Sequence, residues 1–209
     1  MHNFIKVKDL DDGVKKIFDF SNSIFTDKKQ INIGITGGRF GKRFAMFLAE
    51  NKSILGKKFF LTDERISSKK ELRNSESLRE ILNKNHFLKQ NELYYFPQNF
   101  EEKSLDNVFY TYFDICYLSI GNDGHLAGHF SNSKSYDDFF CVTDNAKKLP
   151  RKRLSYKVEK LFLSKKIFLT AFGSEKKQAL KDLFDGRGTH SDEFFKKKKK
   201  ITVISDLEL

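Results

Sequence analysis

The segment covering residues 115–130 constrains this chain more than any other. An apolar run in which Ile115, Tyr117, Leu118 and Ile120 suit a buried strand meets a turn with two glycines, Gly121 and Gly124. That turn carries Asp123 and His125. Open α/β sheets place their ligands beyond the carboxyl ends of strands, so chemistry is expected where this strand stops. Two residues apart on a tight turn, Asp123 can orient or charge the ring while His125 takes or gives a proton near neutral pH. The same triplet also fits a turn aspartate bonding its own backbone beside a satisfied, buried imidazole. The flanking chain has to decide between them.

Along the rest of the chain the helical and strand periods alternate. Val14, Ile17, Phe18, Ser21, Ile24 and Phe25 follow helical spacing and predict an amphipathic helix over residues 11–25. Residues 30–36 read as a strand, 37–43 as a glycine-rich turn, 44–51 as a helix and 57–62 as a second strand that ends on Asp63-Glu64-Arg65. Helices are predicted over 71–83 and 101–110, with a short strand over 93–96 between them. A strand over 139–143 follows, and Pro150 opens a helix running from 149 to about 162. The last elements are a strand over 166–172, a turn over 173–176 with Ser174 as candidate N-cap, a helix over 177–184 and a strand over 201–204. Strands alternating with helices specify a three-layer, Rossmann-like α/β fold with a mostly parallel sheet flanked by helices.

Composition narrows the function classes. With 209 residues, 39% hydrophobic content and 23 Phe, a single domain over residues 1–209 has material for a real core, and two Pro without a low-complexity spacer give no linker. The first residues form no apolar leader, and no stretch approaches the ~18 apolar residues of a membrane helix, so a cytoplasmic protein without membrane contact is expected. Cys116 and Cys141 lack metal or redox spacing and read as small buried thiols, which implies no metal centre. The formal charge of +11 points to anionic partners, either a phosphorylated small molecule or nucleic acid. The one lysine cluster, residues 196–200, directly precedes a good terminal strand and reads as a solvated approach to the sheet, so nucleic acid is not expected.

Residues 31–51 join a strand, a glycine-rich turn and a helix N-terminus, an arrangement that turns bare N–H groups and the helix dipole towards an anion. It is not a nucleotide loop. The first glycine of G-x-x-x-x-G-K-[ST] falls on Thr36 and the last position is Arg43, while Thr36 also occupies the first glycine of G-x-G-x-x-G. A simple phosphate remains, with Arg39, Lys42 or Arg43 adding charge. Asp63-Glu64-Arg65 at a strand's carboxyl end suits either a site or an exposed loop.

Several of these stretches, in order, resemble one family, the 6-phosphogluconolactonases and their relatives the glucosamine-6-phosphate deaminases. Gly121-Asn122-Asp123-Gly124-His125-Leu126-Ala127 is similar to the family's G-x-G-x-D-G-H-x-A signature. Thr36-Gly37-Gly38 resembles the start of its S-G-G-S-T-P phosphate loop, Asp63-Glu64-Arg65 its D-E-R segment, and Asn74-Ser75 its S-N helix opening. Residues 150–155 resemble P-P-x-R-I-T, and Gly173 to Lys176 the late G-x-x-K. The resemblance implies hydrolysis of a phosphorylated sugar lactone, 6-phosphogluconolactone, in the oxidative pentose phosphate pathway, with no metal or organic cofactor; a monomer is expected, with an oligomer as the alternative. Carried over position by position, it makes His125 the general base with Asp123 supporting it. Gly37, Gly38, Arg153 and Lys176 then hold the phosphate, and Asp63 and Arg65 line the sugar side.

The chain departs from the pattern in ways that matter. Arg39-Phe40-Gly41 replaces Ser-Thr-Pro, exchanging hydroxyl donors for a guanidinium that either binds phosphate bidentately or blocks the pocket. His129 adds a second imidazole, read as a helix-face residue without a role. The signature's first glycine is absent. The deaminase branch carries a glutamate five residues after the signature histidine, where this chain has Phe130, which cannot relay a proton. Lactone hydrolysis is therefore expected over deamination, with a non-catalytic or altered-specificity sugar-phosphate-binding protein as the alternative.

Overall fold

The computed structural model describes residues 3–27, 30–51, 54–84, 86–102, 104–197 and 201–208. In chain order the strands are β1 (Asn3–Lys6), β2 (Asn32–Ile35), β3 (Lys58–Leu61), β4 (Asp63–Arg65), β5 (Glu92–Tyr94), β6 (Ile115–Ser119), β7 (Lys134–Ser135), β8 (Phe140–Thr143), β9 (Arg153–Tyr156), β10 (Lys166–Ala171) and β11 (Ile201–Ser205). The helices are α1 (Leu10–Asp27), α2 (Gly38–Glu50), α3 (Asn74–Asn83), α4 (Val158–Leu161), α5 (Lys177–Phe184) and α6 (Ser191–Lys197). Seven strands pair in parallel in the order β1-β11-β10-β6-β2-β3-β5.

Side chains alternate across this sheet, so each strand feeds two cores. Ile115 and Tyr117 of β6 pack with Val14 and Ile17 of α1, Phe44 and Leu48 of α2 and Leu78 of α3. Cys116 and Leu118 turn the other way, towards Leu161 of α4 and Leu180 and Leu183 of α5. Burial on both faces is why the central strands read as nearly continuous apolar runs. The result is the expected three-layer α/β fold, and both cysteines are buried in it.

The chain moves from β2 to β3 and β5 through α2 and α3 on one face. After β6 it moves the opposite way, to β10 and β11, with α4 and α5 on the other face. The reversal falls between the neighbours β2 and β6, joined by Thr36 N–H donating to Tyr117 O at 3.1 Å. A crevice opens there, at the strands' carboxyl ends.

A second, antiparallel sheet, β4-β9-β8-β7, corrects several expectations. Asp63-Glu64-Arg65 is neither loop nor strand terminus but β4 itself, paired with β9, and Asp63 and Glu64 are buried. Thr62 links the sheets, its N–H donating to Ile35 O at 3.0 Å and its carbonyl accepting from Tyr156 N at 3.0 Å. The helix expected over 149–162 is replaced in its middle by strand β9, where Leu154 and Tyr156 enter the core at a spacing of two, and only Val158–Leu161 is helical. Residues 101–110 hold no α-helix among the described residues. Leu105 and Phe109 are buried in an irregular path with a 3-10 turn at Asn107–Phe109. Residues 37–43 are not an open turn, because α2 begins at Gly38. Ser174 does not cap α5: it starts a 3-10 turn that makes no side-chain cap bond and follows Gly173, whose φ is +97°. Of the 196–200 lysine cluster, Lys196 and Lys197 end α6 and residues 198–200 lie outside the described residues. Among the described residues no helix is long and apolar enough to cross a membrane, and no group of His, Cys, Asp and Glu could hold a metal ion.

Candidate active site

A cavity of about 350 Å³ fills the crevice. Thr36 and Gly37 reach it after β2, Asp63 after β3, Ser119 at the end of β6 with Asp123 and His125 after it, and Glu175 and Lys176 after β10. Asp123 and His125, Gly37, Gly38 and Arg39, Asp63 and Arg65, Arg153 and Lys176 all line it, while Lys42 and Arg43, the other cations considered for a phosphate, do not, and Arg43 pairs with Asp11 at 2.6 Å.

The turn after β6 is built to hold one imidazole. Gly121 N–H donates to His125 O at 2.8 Å and Gly124 N–H to Gly121 O at 3.1 Å, with Gly124 at φ +84°, a conformation that glycine adopts without penalty. The His125 ring lies on the Gly121 backbone, so closely that a Cβ there would fall 2.1 Å from His125 Cε1. Its other face stacks on Phe130, centroids 4.2 Å apart. His125 Nδ1 hydrogen-bonds Asp123 Oδ1. That bond, strongest for an ionised carboxylate, pulls the Asp123 pKa down to about 2. Asp123 is therefore charged at neutral pH. With Nδ1 committed as donor, the Nε2 lone pair is available, and Nε2 has no hydrogen-bond partner among the described residues.

The opposite end is cationic. Lys176 Nζ donates to Ser119 Oγ at 2.7 Å, and burial, helped by the nearby Arg39 and Lys148 charges, pushes its pKa down to about 8. Arg39 is half tied already: its guanidinium donates to Phe172 O at 3.2 Å and pairs with Glu175. Arg153 donates to Lys148 O at 2.9 Å and to Pro150 O, so it pins the segment that brings Lys148 to the cavity, and burial lowers its pKa to about 10. At the start of α2, Gly37 serves as an N-cap without a side-chain bond, and its Cα packs on Asn74, where a Cβ would fall 2.4 Å from Cγ.

Acidic residues order the wall between these ends. Burial pushes the Asp63 carboxyl up, against the pull of Arg153 and Arg65, and Asn74 Nδ2 donates to its Oδ2 at 3.0 Å. Glu64 is buried and faces away into the protein, where its carboxylate accepts from the N–H groups of Asn74 at 2.7 Å and Ser75 at 3.0 Å. It thereby caps α3 and fixes Asn74.

Asn74, Ser119, Lys148 and Glu175 line the cavity without having been expected there. Asn74 was visible only as a helix opening, and the other three carry no motif of their own beyond neighbouring one that does. His129 is not a cavity residue and does not sit on a helix face. Its Nδ1 accepts from Val158 N at 3.0 Å, its carbonyl meets His190 Nε2 at 2.9 Å, and burial drops its pKa to about 4, so it is a neutral, structural ring.

Comparison with known proteins agrees with this fold. The 6-phosphogluconolactonase of Borreliella burgdorferi is 32% identical over 191 residues, covering 80% of this chain and 78% of that protein. The crystal structure of a 6-phosphogluconolactonase from Shewanella baltica superposes with a TM-score of 0.81 at 17% identity, covering 98% of this chain and 97% of the other. The 6-phosphogluconolactonase from Thermotoga maritima gives a TM-score of 0.77 at 22% identity, with 97% and 96% covered. At those identities the two structures speak for the fold. The family described as glucosamine-6-phosphate isomerases/6-phosphogluconolactonase matches residues 10–194, most of the chain and all of its cavity residues, and this protein belongs to it.

Proposed function

We propose that the protein hydrolyses 6-phospho-D-glucono-1,5-lactone to 6-phosphogluconate, the lactonase step of the oxidative pentose phosphate pathway. One observation carries this reading: a histidine with its Nδ1 committed to an ionised aspartate and its Nε2 available shares a cavity with a half-buried lysine and with the start of α2, which has no side-chain cap. The phosphate sits at the Lys176 end, held by the amides opening α2 at Gly37 and Gly38, with Lys148 and Arg39 adding charge. Arg153 acts by holding the Lys148 segment in place. Anchoring the phosphate sets the lactone carbonyl near His125.

His125 Nε2 takes a proton from water as the water oxygen adds to the carbonyl carbon. Asp123 stabilises the resulting imidazolium, and the cationic wall favours the tetrahedral oxyanion. Collapse breaks the bond to the ring oxygen, which takes the proton from His125 and leaves as the C5 hydroxyl. Asp63 and Arg65 hydrogen-bond the sugar hydroxyls. Phe130, stacked on the catalytic ring at 4.2 Å, supplies no proton relay, which favours hydrolysis over the isomerase and deaminase chemistry of the same family.

The test generates the lactone in situ and compares its disappearance with wild type, with His125→Ala and without protein, since the lactone also opens spontaneously. Acceleration by wild type alone supports the reading. Equal rates in all three, with phosphosugar binding still measurable, would leave a binding protein of altered specificity.

A further inference from the structure

A second cavity, about 160 Å³, adjoins the first and shares Gly38, Arg39, Arg65 and Asn74 with it. It adds Lys42 from α2 and Arg73 and Ser77 from the start of α3, so four cationic side chains, Arg39, Lys42, Arg65 and Arg73, surround it against the single carboxylate of Glu71. None of the four is neutralised within it. Arg39 has its carboxylate partner, Glu175, in the other cavity. Arg73 spends Nε and Nη2 on the neutral carbonyls of Ser67, at 2.7 Å, and Ser68, at 3.4 Å. Lys42 makes no hydrogen bond or ion pair among the described residues. Like charges gathered around a concave space repel one another, and an anion in that space removes the cost. The N–H groups of Asn74 and Ser75 are already taken by Glu64, so the attraction comes from side chains and not from that helix end. At Gly38 a Cβ would meet nothing within 4 Å, which leaves the backbone between the two cavities open. At ~30 Å³ per water, the volume holds a tetrahedral oxyanion with bridging waters.

We propose that this cavity is a second anion subsite, taking a phosphate-sized oxyanion either as free phosphate or as a second phosphoryl group on a ligand whose first group occupies the Lys176 end. The inference goes beyond lactone hydrolysis and does not need it, because its readout is binding. Inorganic phosphate, fructose 6-phosphate and fructose 1,6-bisphosphate are titrated at constant ionic strength into wild type, Lys42→Gln/Arg73→Gln and Lys42→Glu. The last variant reverses a partnerless surface charge and keeps the test open if losing Arg73 loosens residues 67–73. A bisphosphate that binds wild type at least tenfold more tightly than the monophosphate, with the gain lost in the variants, identifies a second phosphoryl group. Simultaneous binding of inorganic phosphate and fructose 6-phosphate to wild type, reduced to one ligand in the variants, identifies free phosphate. Affinities and stoichiometries unchanged between wild type and both variants overturn the proposal.

Discussion

His125 is held from three sides, and each contact answers a different requirement of the base proposed there. Asp123 fixes the tautomer, Phe130 covers one face, and the bare backbone of Gly121 admits the other. Asp123→Asn keeps the shape but removes the charge that stabilises the imidazolium, so kcat should fall by roughly 10²-fold or more with KM little changed, as steady-state kinetics would read. The same variant tests stability. Asp123 titrates at about 2 in the folded state, against an ordinary 3.8, so its contribution, about 2 kcal/mol, is complete above pH ~4 and is lost as pH falls towards 2. Urea unfolding over that window should show a flatter acid limb in Asp123→Asn than in wild type. At the cationic end the sign reverses. Lys176 loses its proton from about pH 8, so phosphate ester binding should weaken as pH rises through that value. In Lys176→Met, titrated by calorimetry, that part of the pH dependence should vanish.

At the scale of elements, the turn after β6 joins sequence to chemistry most directly. Gly121→Ala would place a methyl 2.1 Å from His125 Cε1, so either the ring or the turn must shift. Activity should fall more than tenfold while the melting temperature moves by only a few degrees, because the turn lies outside both cores. This turn was readable in advance because its residues are local in the chain: a β-branched run, two glycines, a carboxylate and an imidazole. The parallel strands from β2 onwards were readable for the same reason, whereas the short edge strand β1 was not read. Of the antiparallel sheet only β8 was, inside the strand read over 139–143; β4 was not, since it is a run of charges whose burial depends on a partner far along the chain, with Asp63 opposite Ser155. Nor was β9, where Pro150 and the basic residues 151–153 suggested a helix start while Leu154 and Tyr156 followed a period of two. Residues 101–110 failed for a third reason, as Leu105 and Phe109 are buried by an irregular path that no local period encodes. The site residues that motif reasoning missed, Asn74, Ser119 and Lys148, are those whose place depends on a contact made elsewhere: Glu64 for Asn74, Lys176 for Ser119 and Arg153 for Lys148.

Over the whole molecule, a charge of +11 and a local cluster at the cavity make separate contributions. The net charge acts at long range, and its influence on an approaching phosphate fades within the Debye length, about 10 Å at 0.1 M salt. Lys176 and Arg65 are half-buried and act at contact distance, where salt screens less, while Arg39 and Lys148 are exposed but line the same cavity. Raising ionic strength from about 20 mM to about 200 mM should therefore lower kcat/KM several-fold through the encounter rate and leave kcat unchanged. Two variants separate the layers. Neutralising Lys196 and Lys197, which end α6 and do not line the cavity, removes only distant charge and should change kcat/KM little at 200 mM salt. Lys148→Gln should raise KM at both salt concentrations, because it removes a cation that Arg153 holds beside Lys176. Equal sensitivity to both changes would mean that the surface as a whole recruits the substrate. Sensitivity confined to Lys148 would mean that recognition resides in the crevice between β2 and β6, with the remaining lysines serving the molecule in other ways.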